Sequence, residues 1–430
     1  MTRAQRASGL AVRFRTSSHP ASPCPREPGQ RAAPAILARA RDIPVAGLMV
    51  VAAIAFALPA FAGEQQDCGN PKVTMFASGL TNPRHIRFGP GGHLYVVEAG
   101  TGGDMLPANT PECPAVDSYS TTPPLHGYMA GFTGRVSRLH IDGARETIID
   151  GLPSARDGLE NAYGPTDIAW IGHDMYVLIQ AGGCSRGLPN HPAGIIRVRH
   201  DGTYHYVADI SAFFRRNPAA VEPTCGPNGD CEPDGRPHTM IAYLGKLYVV
   251  ETNHNSVLKV DPRTGDVSRI HDLSAHNPAP VTVARKGQDF LLGGFNGLIQ
   301  TFRAPFGKVQ ELHEGFGGIV DLAIIRERLH VLETSSPHVP GTPPSFAPTD
   351  GRLVRIEKDG TQTVIAEGLN QAVGMAKSPS GRAAFVTTFG YGQGAVDGYP
   401  KEGLGQVVRI SLDDERNWYE ARQAAEEEAD

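Results

Sequence analysis

Leu94-Tyr95-Val96-Val97-Glu98 and Leu247-Tyr248-Val249-Val250-Glu251 are one pattern met twice, a short apolar strand that ends in an acid. Four further stretches, at 175–180, 290–294, 329–333 and 384–388, repeat the apolar run and a small or polar ending. A repeated unit that cannot bury its own apolar face must stack on its neighbours. Around each copy the chain reads as four strands. In the first unit these are 85–88, 94–98, 135–141 and 146–150, with turns at Gly89-Pro90-Gly91-Gly92 and Asp142-Gly143. Alternating segments broken by Asp-Gly are a hairpin signal. The second unit lies at 166–171, 175–180, 194–199 and 203–208, and the third at 239–243, 246–251, 256–261 and 266–271. The fourth spans 280–313 and the fifth 319–366.

The sixth unit holds 373–376, 384–388 and 405–411, then runs into an acidic tail. Its missing strand lies at the other end of the chain, at 73–78. That stretch is followed by Gly79-Leu80, as Asp150 is by Gly151-Leu152 and Glu367 by Gly368-Leu369. An N-terminal strand that completes the last unit closes a ring and removes an exposed edge. The expected fold is therefore all-β: a six-bladed β-propeller with four-stranded blades over 63–412. A pair of sandwiches or an open solenoid leaves the displaced strand without a role.

Residues 1–62 have a different composition. They carry eight Arg, no Lys, and only Glu27 and Asp42 as acids. The apolar run 45–58 follows Arg39 and Arg41 and ends at Pro59-Ala60-Phe61-Ala62-Gly63. A basic flank, a short apolar run and a small-x-small site describe a secretory signal peptide. Cleavage is expected after Ala62, giving a secreted or periplasmic protein with no remaining membrane segment. The run is short for a span of about 20 residues. An overlong leader also suits a start codon placed too far upstream.

Losing residues 1–62 takes the formal charge from −5 to −11. An acidic chain without a Lys/Arg cluster excludes nucleic acid as the expected partner. Five cysteines remain: Cys68, Cys113, Cys184, Cys225 and Cys231. Export permits disulfides. Cys225 and Cys231 flank a tight turn, and Cys113 and Cys184 lie in loops of adjacent blades, so two bridges are expected. Residues 211–217 read as a short helix. The tail 413–430 reads as an acidic helix anchored by Trp418 and Tyr419.

The connections separate into two faces. Turns between first and second strands and between third and fourth are short. The long segments 99–133, 181–193, 211–237, 334–350 and 389–404, with the modest 153–165, all emerge on the other face. Function-bearing loops cluster on a rigid scaffold, so a small molecule or a protein partner is expected there, on a monomer. First strands start at His85, Asp167, His238 or Thr239, Thr282, Asp321 and Gly374; second strands end at Glu98, Gln180, Glu251, Gly294, Glu333 and Thr388. The candidate ligand-binding set is His85, Glu98, Asp167, Glu251, Asp321 and Glu333. Crowded carboxylates shift pKa values or recruit a cation. Oxygen donors suit calcium or a similar divalent ion, and Glu98, Asp167, Glu251 and Asp321 are its candidate ligands. The chain has no G-x-S-x-G elbow, H-E-x-x-H or P-loop. Gly390-Tyr391-Gly392-Gln393-Gly394-Ala395 lacks the helix a dinucleotide fingerprint needs.

Several ordered pieces resemble the ScyD/ScyE family of exported, NHL-like propellers. They are 79–84, 88–103, Tyr163-Gly164-Pro165-Thr166-Asp167-Ile168-Ala169, 247–261 and 351–356. The resemblance implies the fold and export, and no catalytic residues. The alternative is a metal-dependent hydrolase similar to the gluconolactonase (SMP-30) propellers, with a divalent cation at the axial mouth. Glu98 stands at the expected kind of position, whereas the asparagine ligands have no counterpart. A quinone-cofactor sugar dehydrogenase needs a basic cluster, and the sequence places acids at the mouth.

Overall fold

The computed structural model describes residues 72–108, 110, 127–157, 161–199, 201–223, 232–335, 350–390 and 403–413. The leader, Cys113, Cys225, Cys231 and the tail beyond Asp413 lie outside the described residues. Cys184 is disulfide-bonded.

Six antiparallel sheets form the six blades of a β-propeller. The innermost strands are Pro83–Phe88, Pro165–Ile171, Pro237–Tyr243, Pro280–Lys286, Ile319–Ile325 and Met375–Lys377. Each contacts the next, and the last contacts the first, so the ring is closed. In blade six, Val73–Leu80 pairs with Gly405–Ser411 as the outermost strand, as the sequence predicts. Blade one exceeds expectation. Its outer pair, Met129–Leu139 and Arg145–Arg156, extends past the ring and adds the two-residue strand Ala162–Tyr163. Much of 153–165, expected as loop, is thus sheet, because Ala155 and Tyr163 bury against Tyr128, Ala130 and Leu188.

Six apolar clusters form the core, one between each pair of adjacent blades. Ile168, Val177 and Ile196 of blade two meet Val97, Val136 and Ile149 of blade one; Met375, Val386 and Val408 of blade six meet Val320, Leu332 and Leu353 of blade five. This is the stacking that the repeat demands.

The inner strands share one irregularity. Four of the six begin with proline, which has no N–H to give and suits a strand's first residue. In blades one to five the ladder then slips by one residue just after that start. Such bulges re-aim a side chain. The side chains re-aimed are His85, Asp167, Thr239, Thr282 and Asp321.

Candidate functional site

The re-aimed residues do not open into a shared ligand shell. Each reaches sideways to the next blade. His85 Nδ1 bonds Thr166 O of blade two (3.0 Å), and Asp167 accepts from Met240 N of blade three (3.0 Å). Thr239 donates to Val281 O of blade four (3.2 Å), and Thr282 to Asp321 of blade five (2.9 Å). Asp321 accepts from Met375 N of blade six (2.8 Å). Blade six has Gly374 at this position. Thr387 from its second strand substitutes, accepting from Gly374 N (2.9 Å) and donating to Arg84 O of blade one (2.7 Å). The belt passes once around the ring. Gly374 also has a steric reason, since a Cβ there would stand 2.6 Å from His85 Cα.

Asp167 and Asp321 are fully buried, which for two carboxylates requires a cation or dense hydrogen bonding. Arg87, two residues along from His85, supplies the cation. Its guanidinium spans the ring, 2.9 Å from Asp167 Oδ2 and 3.1 Å from both Asp321 Oδ2 and Met375 O. Burial opposes the Asp321 charge, but Arg87, His85 and two backbone amides together hold its carboxyl below the usual range. Burial likewise opposes the Arg87 charge, yet the two aspartates leave its pKa above the ordinary arginine value. The triad ties blades one, two, five and six across the axis.

The glutamates at the second-strand ends are also internal fastenings. Glu98, Glu251 and Glu333 are fully buried. Each accepts the backbone amide just before its own blade's inner strand: Thr81 N at 2.7 Å, Arg236 N at 2.5 Å, and Gly317 N. Remaining lone pairs meet Ser137 (2.7 Å) and Arg145 (3.1 Å) for Glu98, His254 for Glu251, and Arg352 (2.7 Å) for Glu333. Burial pushes the Glu333 carboxyl up despite Arg352, whereas at Glu251 the same push is overcome by His254 and the loop amides. In blade two this position is Ile179, opposite Pro165, so Gln180 falls one residue beyond the strand.

The sequence-based set is therefore split. Asp167 and Asp321 meet at Arg87; Glu98, Glu251 and Glu333 each stay in their own blade. Among the described residues no group of three His, Cys, Asp or Glu side chains is placed to hold a metal ion. The expected convergence of Glu98, Asp167, Glu251 and Asp321 on one cation does not occur, because backbone amides and arginines already occupy their oxygens.

Basic residues stand at the mouth beside the acids. Where inner strands enter from the loop-rich face, Arg84 neighbours His85 in blade one, and Arg236 and His238 stand in blade three. Burial, with Arg236, Arg84 and His85 nearby, lowers the His238 pKa well below the ordinary histidine value. No hydrogen bond among the described residues engages its ring. His85 is 1% exposed, and its Nε2 has no partner. The carbonyl of Thr166 can only accept, so Nδ1 carries a proton, and Nε2 accepts from a donor in the neutral ring or donates to an acceptor in the charged one. The His85 ring influences both His238 in blade three and Asp321 in blade five, which sets it near the axis. The Arg84 guanidinium also donates to Ala162 O, and the Arg236 guanidinium lies 5.3 Å from the centre of the Tyr163 ring.

Behind this rim, a buried network fastens three insertions. Arg186, fully buried, bonds Glu232 (2.6 Å), Gly235 O (2.9 Å) and Gly182 O (3.0 Å). Its guanidinium stacks over Tyr128 and Tyr163, and the Tyr128 hydroxyl donates to Glu232. No sequence signal marks this lock, since its members come from separate loops. The helix Ile210–Arg216, expected from the sequence, packs Phe213 and Phe214 into the interface of blades two and three, with Phe214 stacked on His254 at 4.0 Å.

No protein family matches the chain, and no curated protein does. Solved structures do. A gluconolactonase from Xanthomonas campestris is 11% identical over 79% of this chain and 89% of its own, with a TM-score of 0.47. A calcium-binding protein, regucalcin, from Agrobacterium tumefaciens is 13% identical over 78% and 93%, with a TM-score of 0.45. The quinone (PQQ)-bound aldose sugar dehydrogenase from Streptomyces coelicolor is 11% identical over 80% and 99%, with a TM-score of 0.45. At such identities the likeness carries nothing about activity.

Proposed function

We propose that this chain is an exported propeller that binds an anionic small molecule at the axial mouth of its loop-rich face. The reading rests on one observation, the buried, unpartnered Nε2 of His85, whose ring lies close enough to His238, with Arg84 and Arg236 also near, to act on it electrostatically. A buried polar atom without a partner is costly unless a ligand or water satisfies it. A carboxylate, sulfate or phosphate group accepts hydrogen bonds from the two histidine rings in their protonated form, in the positive field of the two arginines. The signal-like segment ending at Ala62 and the ordered pieces similar to the ScyD/ScyE family fit an exported propeller of this kind. A cation-dependent hydrolase is less well supported, since the carboxylates it would use are occupied within the fold.

The sign of the pH dependence follows from His238. Its depressed pKa leaves the ring neutral near neutrality. An arriving anion favours the charged ring, so binding takes up a proton and strengthens as pH falls. The limit is about tenfold in affinity per pH unit for one proton taken up. Calorimetric titration with citrate and with pyrroloquinoline quinone, two tricarboxylates, in chelator-containing buffer tests this. Binding at pH 6 that weakens toward pH 8, with His238→Gln flattening the profile and Arg236→Met weakening it throughout, is the expected result. Absence of binding by either probe at both pH values would sink the proposal.

A further inference from the structure

The turn-bearing face carries only short connections, yet between blades one and two it is cut by a cleft of about 760 Å³. That size lies within the range of about 300–1,000 Å³ usual for small-molecule sites. It opens on the side opposite the axial mouth, so it is a separate place in the fold. Its wall holds an aromatic pair, Tyr95 and Trp170, with ring centres 5.2 Å apart and planes tilted by 55°. Both rings are only partly buried. They are pinned from behind by the turn at Gly89, where a Cβ would stand 2.7 Å from the Tyr95 ring and 2.8 Å from the Trp170 ring.

The polar lining has a definite character. Arg197 and Asp174 pair at 2.5 Å, with side chains 42% and 39% exposed. Glu146, 45% exposed and itself paired with Arg138 and His140, lines the same cleft, as does Arg199. His205 adds a buried Nδ1 that has no partner. Charges of both signs line the cleft, so a strongly anionic ligand would meet Asp174 and Glu146, and a cation would meet Arg197 and Arg199. A neutral molecule with many hydroxyls meets neither conflict. Each hydroxyl can both donate to a carboxylate and accept from a guanidinium, and an apolar C–H face packs on half-exposed aromatic rings.

We propose that this cleft is a second binding site, for a short neutral saccharide. Aromatic stacking supplies the contact area, and the Arg197–Asp174 pair with His205 selects hydroxyl geometry.

An array printed with neutral and acidic oligosaccharides, probed with the purified protein, tests the assignment, followed by calorimetry on the best hit. A neutral glycan is expected to bind. Arg197→Ala and Asp174→Asn are each expected to weaken it about tenfold, the loss of one charge-assisted hydrogen bond. Their surface position should leave the melting temperature unchanged, which separates lost contacts from lost fold. The mouth variant Arg236→Met should leave saccharide binding intact. An array with no neutral hit, hits confined to acidic glycans, or a best hit bound equally by both cleft variants would each overturn the proposal.

Discussion

Arg87→Met is expected to destabilise the protein by about 3–5 kcal/mol at pH 7, the range for removing one member of a buried ion pair. The substitution keeps the aliphatic stem and deletes only the guanidinium. Asp167 and Asp321 then face each other across the ring without a cation, both fully buried. The pH dependence carries the signature. Without Arg87, burial holds the Asp321 proton to higher pH than in the unfolded chain, so the variant loses stability as pH rises through the carboxylate range. The gap between variant and native protein should widen from pH 4 to pH 7. Asp321→Asn in the Arg87→Met background is expected to recover part of the loss. Denaturant titration of the four proteins gives the coupling energy. A single-variant cost under about 1 kcal/mol with no coupling contradicts a load-sharing triad.

Arg186→Met is expected to act locally with similar size, about 3–5 kcal/mol. It leaves Glu232 buried and removes donors from Gly182 O and Gly235 O. Those groups join insertions from blades one, two and three, so the effect should appear in the loop-rich face before the ring. Limited proteolysis should cut 181–193 or 232–236 faster in the variant. Anion binding should fall too, because Arg236 and Tyr163 rest on the same cluster. Glu232→Gln in the variant background should restore much of the protection. Unchanged cleavage rates and an unchanged melting temperature would show that the insertions hold by other contacts.

Much of the fold is legible in the sequence because it is repetitive. The Leu-Tyr-Val-Val-Glu strands fix the blade spacing, and the displaced strand at 73–78 announces closure. The strand ends at Glu98, Glu251 and Glu333 are visible too, but their partners are backbone amides, which carry no sequence signal. Asp167 and Asp321 look like free acids because Arg87 comes from another blade. Nothing local pairs residues 80 and 234 positions apart. Two signals mark the belt: a proline that opens four inner strands, and a polar residue two positions later. The basic rim has a signal as well, as Arg84 and Arg236 flank Pro83 and Pro237. Strand-end acids outnumber those arginines and mask it, and only the folded structure shows that those acids are bonded within their own blades. Blade six shows the belt's logic most clearly. Gly374 makes room for His85, and Thr387 takes over the missing hydrogen bond.

If the strand-end acids are fastenings and the mouth receives an anion, two crystal soaks should give opposite answers. One is in selenate and the other in calcium, both read by anomalous diffraction. The expected result is a selenium peak within hydrogen-bonding reach of His85 Nε2 and His238, and no calcium peak among Glu98, Asp167, Glu251 and Asp321. A calcium ion bound by those four carboxylates, with no anion at the mouth, would contradict it.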